Sequence, residues 1–336
     1  MLRQSALGRR FQFYTMDVQA HQDTFAQDVA QGLNRSPKQL PPKYFYDARG
    51  SWLYERICEL PEYYPYRAER EILRTYADDI HAQIGHLALV EFGSGSAAKT
   101  RYLLSAYERA GRPFRYCPVD ISRAMLHETA ERLLQDYPHL SVHAMHADFA
   151  GQPDVIEAFQ LEKKALAFLG SSLGNFSREE CADFLCRLAA LMGPEDLFLL
   201  GIDLKKSPAI LVPAYDDAQG VTAAFNLNVL HRINRELGGQ FDVHQFEHVA
   251  LFNQVQSRIE MHLRSRCRQH VPIAKIEQVI AFHAGETIHT ENSFKYTVDD
   301  IRALGAQACL DLRRTWFDKR RYFLLALFRP TMTTGI

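Results

Sequence analysis

Val90-Glu91-Phe92-Gly93-Ser94-Gly95-Ser96-Ala97-Ala98-Lys99-Thr100-Arg101 is the stretch on which the reading of this chain turns. The apolar run Leu87-Ala88-Leu89-Val90 leads into it, and Tyr102-Leu103-Leu104 carries it on into a helix-compatible segment. The order is a buried strand, a tight turn and a helix start, which leaves backbone N–H groups open to a nucleotide-like ligand. Glycine suits the turn because other residues adopt its conformations at a cost, and because a side chain would hold a ligand off. A dinucleotide fingerprint puts a third glycine three residues after the second, where this chain has Ala98.

Glu91, two residues before Gly93, points to another ligand. An acidic-x-Gly-x-Gly turn suits a cofactor with an amino acid end, since glycine makes room while the acid helps hold the ammonium. S-adenosyl-L-methionine has that end and carries a sulfonium in place of a pyrophosphate. Methyl transfer is therefore the expected chemistry.

Outward from the turn, strand-like and helix-like runs alternate. Strands are expected over residues 88–92, 114–120, 141–145, 165–169 and 196–203, with helices over 100–110, 123–137, 153–159 and 178–192. This alternation predicts an α/β fold, a Rossmann-like, doubly wound parallel sheet with right-handed crossovers. The rhythm then breaks into a helix over 221–237, an amphipathic helical piece over 242–252 and a strand over 257–268. Strand character returns at Trp316 and over 322–328. Residues 1–40 read as weakly structured and then helical. The expected organisation is a cofactor-binding domain of residues 69–204 and 294–336, with a second, inserted α+β substrate-binding lobe of residues 20–68 and 205–293.

Ligands of open α/β sheets lie beyond the carboxyl ends of the strands. The first strand ends at Gly93 and Gly95. The second ends Pro118-Val119-Asp120, a carboxylate able to accept both ribose hydroxyls. The third is followed by Ala147-Asp148-Phe149, an acid and an aromatic suited to an adenine amino group and ring face. Each acid alone also reads as a cap or turn residue; in succession they read as an adenosine site. Lys99 has two readings, a solvated first-turn lysine or a cation reaching the cofactor carboxylate.

Composition bounds the rest. The 336 residues are 47% hydrophobic and 24% charged with a formal net charge of −1, so no general field recruits nucleic acid or an anionic membrane. Clusters such as Arg264, Arg266 and Arg268 read as solvated faces. Six cysteines (Cys58, Cys117, Cys181, Cys186, Cys267, Cys309) form no Cys-x-x-Cys pair, which predicts reduced thiols in a cytoplasm. His248, His262, His270, His283 and His289 lack metal-ligand spacing, so no metal is expected. A soluble cytoplasmic monomer without nucleic-acid or membrane partners follows as the expectation.

Longer motifs carry a resemblance. Pro42-Lys43-Tyr44-Phe45-Tyr46-Asp47, Leu60-Pro61-Glu62-Tyr63-Tyr64-Pro65, Phe168-Leu169-Gly170-Ser171-Ser172-Leu173-Gly174-Asn175-Phe176 and Ala214-Tyr215-Asp216-Asp217 closely resemble segments of the histidine Nα-methyltransferases of ergothioneine biosynthesis. So do Gly220-Val221-Thr222-Ala223-Ala224-Phe225-Asn226, Arg258-Ile259-Glu260-Met261 and Thr290-Glu291-Asn292-Ser293. The match runs in order from about residue 37 to the end. It implies a class I methyltransferase sheet and transfer of three methyl groups from S-adenosyl-L-methionine to the α-amine of L-histidine and its mono- and dimethyl forms, giving hercynine. Position by position, Gly93, Lys99, Asp120, Asp148 and Phe149 match the family's cofactor contacts. Tyr63, Asn175 and Tyr215 match residues holding the substrate's amino acid end. Glu291 and Ser293 match those facing the imidazole, with Met261 lining that side. Gly170 lies where a backbone carbonyl meets the amine, and Tyr46 matches a further pocket tyrosine.

The chemistry agrees with these residue types. In-line displacement at a sulfonium methyl needs a neutral amine aimed along the sulfur–carbon axis, and positioning alone supplies up to about 7–11 kcal/mol in intramolecular models. Tyrosine hydroxyls and an asparagine amide fix a carboxylate without adding positive charge beside the sulfonium. Faces of Tyr46 and Tyr63 suit a growing quaternary ammonium. Glu291, expected in a loop over 285–292, accepts an imidazole N–H, and a site built to hydrogen-bond a polar ring rejects analogues lacking those groups. No general base stands out, so catalysis is expected through positioning by Tyr46, Tyr63 and Asn175, with the proton leaving to water or to Tyr46. Two other readings are an N-methyltransferase of the same fold acting on another aromatic amino acid or amine, and a nucleotide-binding oxidoreductase or non-catalytic protein. Glu291 and Ser293 count against the first, Ala98 and Asp148-Phe149 against the second.

Overall fold

The computed structural model describes residues 8–15, 19–150 and 152–331. Its strands in chain order are β1 (Phe11–Thr15), β2 (Lys38–Gln39), β3 (Ala88–Phe92), β4 (Phe114–Asp120), β5 (Leu140–His146), β6 (Lys164–Phe168) and β7 (Leu197–Asp203). There follow β8 (Phe246–Asn253), β9 (Arg258–Ser265), β10 (Gln269–Ile273), β11 (Gln278–Phe282), β12 (Thr287–Phe294), β13 (Leu310–Phe317) and β14 (Phe323–Pro330). The chain divides into two compact units. One comprises Met1–Met16, Pro65–Lys205 and Tyr296–Ile336, the other Asp17–Tyr64 and Lys206–Lys295.

The first unit is built on one sheet in the order β1-β5-β4-β3-β6-β7-β14-β13. Its strands run parallel from β1 to β7, and β14 and β13 close it as an antiparallel hairpin. Leu89, Val90 and Phe92 of β3 are wholly enclosed, as a continuous apolar run in a central parallel strand should be. Helices Arg101–Arg109 and Arg123–Asp136 pack Leu103, Leu104, Tyr107, Leu126 and Leu133 into the core beside it. This is the Rossmann-like class I methyltransferase sheet expected from the sequence. Residues 153–159 form a 3-10 rather than an α-helical crossover, with Pro153 at its start.

At the far edge the sheet gains a strand the sequence reading did not foresee. Phe11–Thr15 pairs in parallel with β5, from Phe11 opposite Val142 to Thr15 opposite His146. Arg10 anchors it by donating to the carbonyls of Leu134, Tyr137 and Leu140. A five-residue segment is too short for its periodicity to speak. The remainder of the expected weakly structured start, residues 1–7 and 16–18, lies outside the described residues.

The second unit holds a four-stranded sheet in the order β2-β12-β9-β8, the hairpin β10–β11, and helix Val221–Leu237 packed on β8 and β9. Asp217 caps that helix by accepting from the N–H groups of Val221 and Thr222, and Gly238 ends it. Two expectations fail here. Residues 246–253 are strand, not amphipathic helix, because every residue from Phe246 to Asn253 pairs with β9. The loop expected over 285–292 is strand β12 from Thr287 on, although its polar sequence disguises it. Among the described residues no helix is long and apolar enough to cross a membrane.

Candidate active site

Because β5, β4, β3 and β6 are parallel neighbours, their carboxyl ends share one edge, and strand order reverses beside β3. Gly93 and Gly95 follow β3 in the left-handed region, with φ of 65° and 51°. A Cβ on Gly93 would lie 3.5 Å from the ring of Phe149, whereas the space beside Gly95 is open. Asp120 ends β4, buried, with one carboxylate oxygen accepting from the Gly95 N–H at 2.8 Å and the other from the Ser122 N–H at 2.8 Å. Burial raises its carboxyl above the ordinary value despite these amides. Asp148 follows β5, and Phe149 stands against Phe92 and Phe168, with centroids 5.4 and 5.5 Å away. Four of the predicted cofactor residues thus line one sheet edge. An open glycine turn, a buried acid on the next strand end and an aromatic ring are a donor and surface set that fits a nucleoside with an amino acid end.

Glu91 does not take the expected part. One carboxylate oxygen accepts from Thr100 Oγ1 at 2.8 Å and the other from the Tyr116 hydroxyl. Burial pushes its carboxyl up to about 7 against those two donors. Glu91 fastens strand, turn and helix together rather than facing a ligand ammonium. Lys99 is not a solvated lysine either. Its ammonium pairs with Glu69, which is 0% exposed, and both Glu69 oxygens accept from the Gly170 N–H, at 2.8 and 3.0 Å. Gly201 makes the room, since a Cβ there would come within 2.2 Å of Glu69 Oε1. Glu69 therefore links the Lys99 turn to the loop after β6, where Gly170 and Ser171 both hold left-handed φ, 79° and 59°. A lone glutamate in helix Tyr64–Ile84 gave no sequence signal for this. Asn175 ends the 3-10 turn after that loop, and Ser177 rather than Asn175 caps helix Arg178–Ala190, in a capping box with Glu180.

In the second unit Tyr215, Met261, Glu291 and Ser293 are all buried. Tyr215 Oη lies 2.7 Å from Ser293 Oγ, and Met261 stands opposite Glu291 in the β9–β12 ladder. A β-bulge between His289 and Glu291 re-aims the end of β12. Burial pushes the Glu291 carboxyl up to about 8, with the ammonium of Lys295 pulling it down. Tyr46, Tyr54, Tyr63 and Tyr215 form a row of edge-to-face rings with successive centroids 5.8, 6.4 and 6.2 Å apart. Burial keeps the Tyr63 phenol neutral by raising its pKa far above the ordinary value. Asp47 fixes the Tyr46 segment by accepting from Gly50 N–H and from Asn228 on the long helix, at 2.7 and 2.8 Å. His248 secures the Tyr215 backbone: Nε2 donates to the Tyr215 carbonyl at 2.7 Å, while Nδ1 accepts from Asn226. Tyr54 escaped the sequence reading, and His248 entered it only as a histidine without metal-ligand spacing. Among the described residues no group of three His, Cys, Asp or Glu side chains is disposed to hold a metal.

Residues 25–330 match the model of a family described as histidine-specific methyltransferase, SAM-dependent. The chain belongs to this family. It is 43% identical to a histidine N-alpha-methyltransferase of Mycolicibacterium smegmatis over 91% of this chain and 94% of that one. A protein of the same name in Mycobacterium tuberculosis is 43% identical over 89% and 93%. Ergothioneine biosynthesis protein 1 of Neurospora crassa is 30% identical, over 89% of this chain but 34% of its own length. Membership in a SAM-dependent methyltransferase family excludes the oxidoreductase reading, as Ala98 had suggested. The family's methyl donor accords with the glycine turn and strand-end acids of the first unit, which carry no third glycine for a pyrophosphate.

Proposed function

We propose that this chain transfers three methyl groups from S-adenosyl-L-methionine to the α-amine of L-histidine, giving hercynine. The observation that carries the histidine reading is the buried group of Tyr215, Glu291 and Ser293, which sets hydrogen-bonding side chains where a phenyl- or indole-binding pocket would be apolar. Bound S-adenosyl-L-methionine supplies an electrophilic methyl and leaves as its thioether. Gly93, Lys99, Asp120, Asp148 and Phe149 hold it, with Asp120 at the ribose and Phe149 against the base. Lys99 reaches the cofactor carboxylate only from its pairing with Glu69, so its ammonium arrives already oriented.

For the substrate, Tyr63, Asn175 and Tyr215 hold the carboxylate end, the Gly170 carbonyl meets the amine, and Glu291 and Ser293 read the ring with Met261 beside it. Positioning is the main contribution, because a neutral amine needs only its lone pair aimed. Tyr46 and Tyr63, in the tyrosine row, offer ring faces to the quaternary product. Burial keeps the Tyr63 phenol neutral, and the amine proton leaves to water or to Tyr46.

Incubating the purified protein with S-adenosyl-L-methionine and each of the twenty amino acids, with products read by mass spectrometry, tests the reading. Histidine alone should gain methyl groups, up to three. Methylation of tryptophan, tyrosine or phenylalanine in preference to histidine would overturn it.

A further inference from the structure

Glu69 is a buried acid with two unlike partners, and each partner leads to a different reacting group. Helix Tyr64–Ile84 carries it, 0% exposed, against strand β7 at Gly201, where a Cβ would stand 2.2 Å from Oε1 and 3.4 Å from Cδ. Glycine weakens a strand interior, so its use there points to a neighbour that needs the space. That neighbour is the Glu69 carboxylate. Oε2 pairs with the ammonium of Lys99, while Oε1 and Oε2 accept from the Gly170 N–H at 2.8 and 3.0 Å. Three residues before Glu69 on the same helix, the Tyr66 ring centroid lies 5.4 Å from that ammonium. Lys99 and Gly170 also stand side by side, since a Cβ on Gly170 would lie 3.6 Å from Lys99 Nζ. All of these residues belong to the first unit.

A carboxylate taken wholly out of water is costly to leave unpaired, so it holds its partners firmly. An ammonium carries three donors, so Lys99 keeps its bond to Glu69 while directing another to a ligand carboxylate. The grip of both Glu69 oxygens on the Gly170 N–H steadies a loop in which Gly170 and Ser171 hold left-handed φ, a conformation serine adopts at a cost. We propose that Glu69 is a positioning residue for methyl transfer. One carboxylate sets both the cation that holds the donor's amino acid end and the loop whose Gly170 carbonyl meets the amine. It acts through Lys99 and Gly170, touches neither ligand, and keeps methyl and amine in register.

This inference rests on the assignment of Lys99 to the cofactor and of Gly170 to the amine. Its test is Glu69→Gln, made alone and together with Lys99→Met. Glutamine keeps the shape but has one acceptor oxygen and no charge, so it serves the two partners less well. Alone it should raise the calorimetric Kd for S-adenosyl-L-methionine about tenfold. It should also lower kcat at saturating substrates about tenfold or more, through misplacement of the amine. In the Lys99→Met background the affinity loss should vanish, because the cation it acts through is gone, while the fall in kcat should persist through Gly170. An affinity loss of equal size in both backgrounds means a merely structural acid and overturns the inference. An unchanged Kd or an unchanged kcat in folded Glu69→Gln overturns it too. If Glu69→Gln does not fold, the native chain decides. The nitrogen NMR signal of the Lys99 ammonium, assigned by its loss in Lys99→Arg, should be protected from solvent exchange before cofactor is added. Exchange as fast as that of an exposed lysine overturns the inference. A Lys99→Met variant that binds cofactor as tightly as the native chain would instead remove the assignment beneath it.

Discussion

Asp120 and Glu291 are both buried carboxylates, yet they meet different partners. Backbone amides of Gly95 and Ser122 tie Asp120 to the glycine turn, while Glu291, on a strand of the other unit, stands opposite Met261 and has its carboxyl pKa raised by burial. Replacing Glu291 with alanine should therefore weaken histidine binding at least tenfold, the cost of leaving a polar partner unpaired, and leave cofactor affinity intact. Asp120→Ala should do the reverse. Calorimetric titration of each variant with each ligand checks the split, and equal losses from Glu291→Ala would mean a structural role. Residues of this kind were legible because they end strands or sit in long motifs. Glu69 was not, since its work depends on a backbone N–H a hundred residues away and on the missing side chain of Gly201.

The strand–turn–helix unit around Gly93 depends on Glu91, whose carboxyl holds Thr100 and Tyr116 together. A carboxyl raised from 4.5 to about 7 in the folded chain stabilises the fold fully below pH 4.5 and loses that contribution as pH rises through 7. Glutamine does not titrate. Relative to the native chain, Glu91→Gln should become progressively more stable between about pH 5 and 8. Urea unfolding across that range checks the sign, and a pH-independent difference would contradict it. At this scale the parallel strands β3 to β7 were legible from their apolar runs to within a residue at each end. Strand β8 was misread because its spacing fits a helix as well as a strand, and only its partner β9 decides between them. The bulge before Glu291, which sets what the end of β12 presents, has no mark in the sequence.

Across the whole molecule, the residues proposed for the methyl donor fall in the first unit, and Glu291 and Ser293, proposed to read the ring, fall in the second. Family membership rests on a match over residues 25–330, which takes in both. The first unit was legible from general fold rules; in the second the helix over 221–237 and the strand over 257–268 were legible too, but the site residues needed motif resemblance, because a tyrosine row obeys no periodic rule. The claim joining them is that the α-nitrogen of histidine receives every methyl group. Reaction of histidine with S-adenosyl-L-methionine labelled isotopically in its methyl group, followed by NMR of the product, tests this most directly. A single labelled resonance from three equivalent methyl groups on a quaternary α-nitrogen is the expected result. A labelled methyl on an imidazole nitrogen, or a product that stops short of the quaternary ammonium, would contradict it.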